Sequence, residues 1–169
     1  MRYAYILLLP LLLFSGCSDR PAGMPPLYSC NITVTQDGVP LEGAAVRMLN
    51  LSDTAGGEAW TPIGTTDAGG VARMMTNAQY YGAAAGRYRI TVEKFETEPS
   101  KLGPQPPVDT PEYEAWSHRS SMETLSQYAL VEVLYSSSRT PHEIEVTKGT
   151  NNHTIDVGKA IRVRVGGSF

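Results

Sequence analysis

The chain predicts an all-β fold, an antiparallel β-sandwich of about seven strands interrupted by one long proline-rich excursion and a short helix. Three observations predict it. Apolar residues recur at every second position over short stretches, the period of a strand buried on one side. Gly, Asp and Pro punctuate those stretches. About seven of them follow at short, regular spacing, as in a two-sheet sandwich.

Before the first strand, Arg2 precedes the apolar run 3–14, and Ser15 and Gly16 follow it. A bilayer span takes about 20 apolar residues, so this run is too short. A charged start, a short apolar core and small residues ahead of a cleavage point make a secretory signal instead. Phe14, Ser15, Gly16 and Cys17 resemble the lipobox of bacterial lipoproteins, with Phe where Leu is commoner. The resemblance implies a signal peptide over 1–16 and lipidation at Cys17, with a diacylglycerol on its sulfur and a further acyl chain on its amine. Each buried CH₂ adds about 0.8 kcal/mol of membrane affinity, so several chains on one residue anchor durably. Ser18, where Asp would direct retention in the inner membrane, implies the outer membrane or cell surface of a bacterial envelope. Residues 17–27, with three prolines, read as an extended tether. The sandwich domain is expected over 28–169.

The strands follow in order. Cys30, Ile32 and Val34 alternate with Asn31, Thr33 and Thr35, and Gln36-Asp37-Gly38 closes that strand. Residues 44–51 form a second strand whose pattern leaves open which face is buried. After a small-residue loop at 52–58, TTDAGG at 65–70 is a tight turn: Asp67 accepts from backbone N–H groups after it, and Gly69 and Gly70 tolerate the left-handed conformation. Val71–Thr76 is the returning strand. Residues 86–94, GRYRITVEK, alternate most clearly, with Tyr88, Ile90 and Val92 inward. Residues 142–157 read as a hairpin with His142, Ile144 and Val146 on one face, a Lys148-Gly149 turn, and His153, Ile155 and Val157 on the returning strand. Residues 161–165 alternate too, as a final strand or a trailing end.

The excursion spans 95–141. Five prolines in 95–112 argue against a helix or central strand there. Ser120 and Glu123 have capping-box spacing, and Met122, Leu125 and Ala129 recur at helical intervals, which predicts a helix over about 121–129. A loop this long is a natural place for function.

Several of these stretches together resemble the carboxypeptidase regulatory-like domain of the transthyretin-like group. Asp37, Gly38, Pro40, Leu41, Gly43, Ala44 and Val46 fit its opening stretch; Thr66, Asp67 and Gly70 its middle turn; Gly86, Tyr88, Ile90, Thr91 and Val92 the strand after it. The resemblance covers most of 28–158 and implies a Greek-key, transthyretin-like sandwich that is itself non-catalytic. Related hydroxyisourate hydrolases end in Tyr-Arg-Gly-Ser, whereas this chain ends RVRVGGSF, so that activity is not expected.

Composition and motifs narrow the chemistry further. The 14 Lys and Arg against 17 Asp and Glu give a net charge of −3, with no basic run, so nucleic acid is not an expected partner. With Cys17 lipidated, Cys30 has no partner for a disulfide; between Ser29 and Asn31 it reads as a small buried hydrophobe, not a reactive thiol. No H-E-x-x-H occurs, and His142 with His153 would supply two ligands where zinc usually takes at least three protein groups, so no metal or cofactor is expected. His118 has no carboxylate partner at useful spacing. An isopeptide bond would need an early Lys, and residues 1–93 contain none. The sequons at Asn31, Asn50 and Asn152 are ascribed to chance, given the lipobox.

Trp60, Tyr80, Tyr81, Tyr113 and Trp116 fall in loops or at strand ends, where flat rings either stack on sugars and peptides or cap the sandwich. The sequence therefore implies a lipid-anchored envelope protein without enzyme activity, a structural or protein-interaction module. The alternative is a carbohydrate- or peptide-binding module using those aromatics, with envelope proteins or glycans as partners.

Overall fold

The computed structural model describes residues 20–52 and 60–165. Cys17 and the expected signal segment over 1–16 lie outside the described residues. In chain order the elements are β1 (Leu27–Tyr28), β2 (Cys30–Gln36), β3 (Val39–Pro40), β4 (Ala45–Asn50), β5 (Pro62–Thr65), β6 (Val71–Arg73), β7 (Met75–Thr76), β8 (Tyr80–Tyr81), β9 (Ala83–Ala84), β10 (Gly86–Glu93), β11 (Phe95–Thr97), α1 (Pro111–Met122), β12 (Gln127–Ala129), α2 (Val133–Ser136), β13 (Glu143–Val146), β14 (Asn151–Asp156) and β15 (Val163–Val165). Strand so outweighs helix that the chain is all-β and mostly antiparallel.

A six-stranded sheet runs β13-β10-β4-β5-β7-β8, every pair antiparallel. A smaller sheet is built on β2, with β14 on one side and β3 and β6 on the other. Alternation drives one face of each sheet inward. Cys30, Ile32 and Val34 of β2 meet Val46 and Met48 of β4 and Tyr88, Ile90 and Val92 of β10 in one buried cluster. In β4 the unresolved face settles as Val46 and Met48 inward, Ala45 and Arg47 outward. The pair β1–β9 and a three-stranded sheet β11-β12-β15 complete the sheets among the described residues.

The segment expected as one strand at 71–76 breaks at Met74. Its first part, β6, pairs with β2 in the smaller sheet, and its second, β7, pairs with β5 in the larger. Met74 itself is 1% exposed, with its N–H on the Cys30 carbonyl at 3.0 Å and its own carbonyl accepting from Gly82. Space is tight beside this crossing: a Cβ on Gly64 would stand 3.0 Å from the Arg73 carbonyl oxygen, closer than ordinary van der Waals contact.

Two further expectations are corrected. The 142–157 hairpin is not one: β13 pairs with β10, and β14 pairs in parallel with β2 in the other sheet, so the chain between them turns a corner across the core. This is also where the antiparallel expectation fails. Asn151, 6% exposed, makes the corner stable. Its Oδ1 accepts from the Thr147 N–H at 2.9 Å, and its Nδ2 donates to the carbonyls of Thr147 at 3.0 Å and Ser29 at 3.1 Å.

The helix predicted over 121–129 lies instead at Pro111–Met122. Thr110 is its N-cap, its hydroxyl accepting from the Tyr113 N–H at 3.2 Å, and Pro111 fits the first turn, where no N–H partner is lost. Glu123 sits at the C-terminal end and uses its carboxylate on the Ser100 hydroxyl and Lys101 N–H, so the Ser120–Glu123 spacing is no capping box. Residues 127–129 are strand. Within 95–112, Phe95–Thr97 forms β11 at an edge of its sheet, ahead of the first proline of the segment, and α1 starts only at Pro111.

Candidate functional site

The outer face of the six-stranded sheet changes character from one side to the other. On β10 and β13, Glu143 bridges Arg89 at 2.6 Å and Arg87 at 3.1 Å. The Arg89 bond, with both arginine charges, holds the Glu143 carboxyl below the usual range. Toward β8 the face turns apolar. Register aligns Thr91, Arg47, Ile63, Met75 and Tyr81 in a single row across five strands. With neighbouring strands about 4.8 Å apart, Arg47 to Tyr81 spans roughly 14 Å.

Over this row lies an open groove of about 600 Å³. Ala45, Ile63, Met75 and Tyr81 supply its apolar wall, with Arg47 and Arg73 beside them and Glu93 at its margin. Ile63 is 40% and Tyr81 68% exposed, large values for outward apolar groups on a sheet. A second recess of about 420 Å³ adjoins it, sharing Arg73 and Tyr81 and adding Asn31. Neither Arg47 nor Arg73 has an ion pair among the described residues.

The turn at one end of the groove is held by Asp67. Its Oδ1 accepts from the N–H groups of Gly69 at 2.9 Å and Val71 at 3.0 Å. Gly70 has φ +75°, and a Cβ there would stand 2.6 Å from the Val34 carbonyl oxygen; Gly69 needs no left-handed φ. Buried Thr66 ties the turn to the 41–44 connection through bonds to the Leu41 carbonyl and the Ala44 N–H.

Among the aromatic candidates, Tyr81 lines the groove. Tyr80, its neighbour on β8, is half-buried, as is Trp60 just before β5. Trp116 and Tyr113 lie on α1, stacked at 6.3 Å, with the indole N–H directed to the Gly103 carbonyl. The structure thus spreads these rings over different elements. Ile63, Met75, Arg47 and Arg73 were not singled out by sequence; the available signal was an apolar residue at an outward position of a strand, visible only once register is known.

The histidines do not converge. His142 stacks on Tyr135 with its Nε2 2.8 Å from the Asp156 carbonyl, whereas His153 lies on β14 with its Nε2 buried and without a hydrogen-bond partner among the described residues. Among the described residues no three His, Cys, Asp or Glu side chains are grouped to hold a metal ion. Cys30 is 2% exposed, and burial pushes its thiol up to about 11. Two of the sequon asparagines, Asn31 and Asn152, bond each other at 2.9 Å across β2 and β14. No helix among the described residues is long and apolar enough to cross a membrane. No protein-family model, curated protein or solved structure matches the chain.

Proposed function

We propose that this chain is a lipid-anchored protein of the bacterial envelope whose non-catalytic sandwich is an interaction module that holds its partner in the groove over Ile63, Met75 and Tyr81. The carrying observation is that row of outward apolar side chains in register across the open sheet, in a place where alternation would ordinarily put polar groups. The anchor rests on the lipobox residues Phe14–Cys17. A transthyretin-like, carboxypeptidase regulatory-like relationship is part of the same reading. Its support is that Gly38, Gly43 and Gly70, which fit that family's motifs, all sit at positive φ in turns.

A second reading is favoured by the adjoining recess. There the exposed Tyr81 ring lies beside Asn31 and Arg73, planar polar groups suited to sugar hydroxyls, which fits a glycan-binding module.

Intact mass of protein extracted from its membrane tests the anchor: residues 17–169 plus acyl chains is expected, and an unmodified mass refutes it. Photo-crosslinking tests the groove, with a benzophenone side chain placed at position 63 and, as control, at the exposed position 108. Selective capture of one species from position 63 is expected. Equal labelling from both positions refutes the groove.

A further inference from the structure

The three-stranded sheet has two unlike faces. Register places Phe95, Ala129 and Val163 in one row and Thr97, Gln127 and Val165 in the next, all on the same face, with Glu96, Tyr128 and Arg164 on the other. Phe95 is 48%, Val163 56% and Val165 40% exposed. On the opposite face Arg162 bridges Glu96 at 3.0 Å and lies 3.6 Å over the Tyr128 ring. Arg164 has no ion pair among the described residues. Strand β12 occupies one side of β15, and the other side is a free edge among the described residues.

We propose that the free edge of β15 takes an extended peptide strand of apolar–acidic–apolar pattern as the fourth strand of this sheet. Directly opposite residues share a face, so the acidic side chain meets Arg164 and the apolar ones extend the rows that end at Val163 and Val165. Main-chain bonds supply the attachment and the side chains the choice of partner.

Charge also disfavours the commonest competitor. A second copy pairing antiparallel about Arg164 sets guanidinium opposite guanidinium, which is destabilising. A short edge carrying an arginine is guarded against indiscriminate pairing, and the guard becomes a selector for acid. Position fits the role as well. The chain joins the sandwich at β1, whose partner β9 ends just before β10 begins, whereas β11 starts just after β10 ends. Eight residues of strand separate these ends by about 27 Å, so the edge stays accessible with the N-terminus held.

The test uses the full mature chain and two capped synthetic peptides, Thr-Val-Glu-Val-Thr and Thr-Val-Lys-Val-Thr, titrated by fluorescence anisotropy. The glutamate peptide is expected to bind about 5-fold more tightly or better. Arg164→Glu should reverse the preference without moving the unfolding temperature. Equal affinities, a preference unchanged in Arg164→Glu, or no binding of either peptide at about 1 mM would overturn the proposal. Concentration-dependent dimerisation that the glutamate peptide does not displace would overturn it in favour of a second copy.

Discussion

Asn151 and Asn152 are adjacent and identical in chemistry, yet Asn151→Ala and Asn152→Ala should differ several-fold in cost. Asn151 is buried and makes three well-formed bonds at the 147–150 corner. Each is worth about 0.5–1.5 kcal/mol net, and the Thr147 N–H loses its partner on deletion, so Asn151→Ala should cost about 3 kcal/mol. For a domain of this size that lowers Tm by roughly 6–12 °C. Asn152 is exposed, with one bond to Asn31. Its removal should cost about 0.5 kcal/mol or less.

Asn151→Asp sharpens the argument. A carboxylate there still accepts from Thr147, but it faces the Ser29 and Thr147 carbonyls that the amide had served as donor. Its folded pKa is raised above the unfolded value, so the charge destabilises as pH rises through the unfolded value toward the folded one. The loss should therefore be larger at about pH 7 than at about pH 4. Urea unfolding followed by circular dichroism measures all three variants. A cost below about 1 kcal/mol for Asn151→Ala, or equal costs at the two asparagines, would refute the account of the corner.

Asp67→Ala removes both side-chain bonds of the turn at the groove's end and should cost about 1 kcal/mol; unchanged urea unfolding would mean that Gly70 and Thr66 hold the turn alone. Asp156 is held below the usual carboxylate range by the Thr35 hydroxyl and then the Gly158 N–H, and Glu143 by Arg89. Their stabilisation is present above the ordinary carboxylate pKa and is lost as pH falls through the depressed folded values, so Tm should drop on acidification and Asp156→Asn should flatten that drop. The thiol of Cys30 should resist maleimide at neutral pH until urea unfolds the chain, and mass spectrometry of labelled protein reads this directly. Cys17→Ser should shift the protein out of the membrane fraction with the domain still folded; unchanged partition would refute lipid attachment at that residue.

Alternation was legible in several strands with one buried face, though not in 44–51, where Val46 and Met48 turn inward but the apolar Ala44, Ala45 and Leu49 beside them blur the pattern. Tyr88, Ile90 and Val92 were assigned inward from sequence alone, and the inward faces of 30–34 and 142–157 followed the same rule. Pairing was not legible, because alternation says which residues face in but not which strand lies alongside. A Lys148-Gly149 turn suits a hairpin, and only the amide of Asn151, reaching Ser29 far away in sequence, marks a corner instead. The helix was misplaced for a local reason. Ser120 and Glu123 imitate a start signal, while Thr110-Pro111 followed by Glu112 is a stronger one, obscured by the prolines around it. The groove depends on register between β5, β7 and β8, whose lengths of two to four residues leave no periodicity to read.

The parallel pairing of β2 with β14 also sets how the molecule bears load. Six register pairs, from Cys30 with Asn151 to Thr35 with Asp156, join a strand near the N-terminus to one near the C-terminus. Tension applied between the two ends pulls these strands in opposite directions along their length. The hydrogen bonds between them then resist together in shear instead of peeling one at a time. A domain wired in this way would act as a stiff link between whatever holds its start and whatever grips its far end.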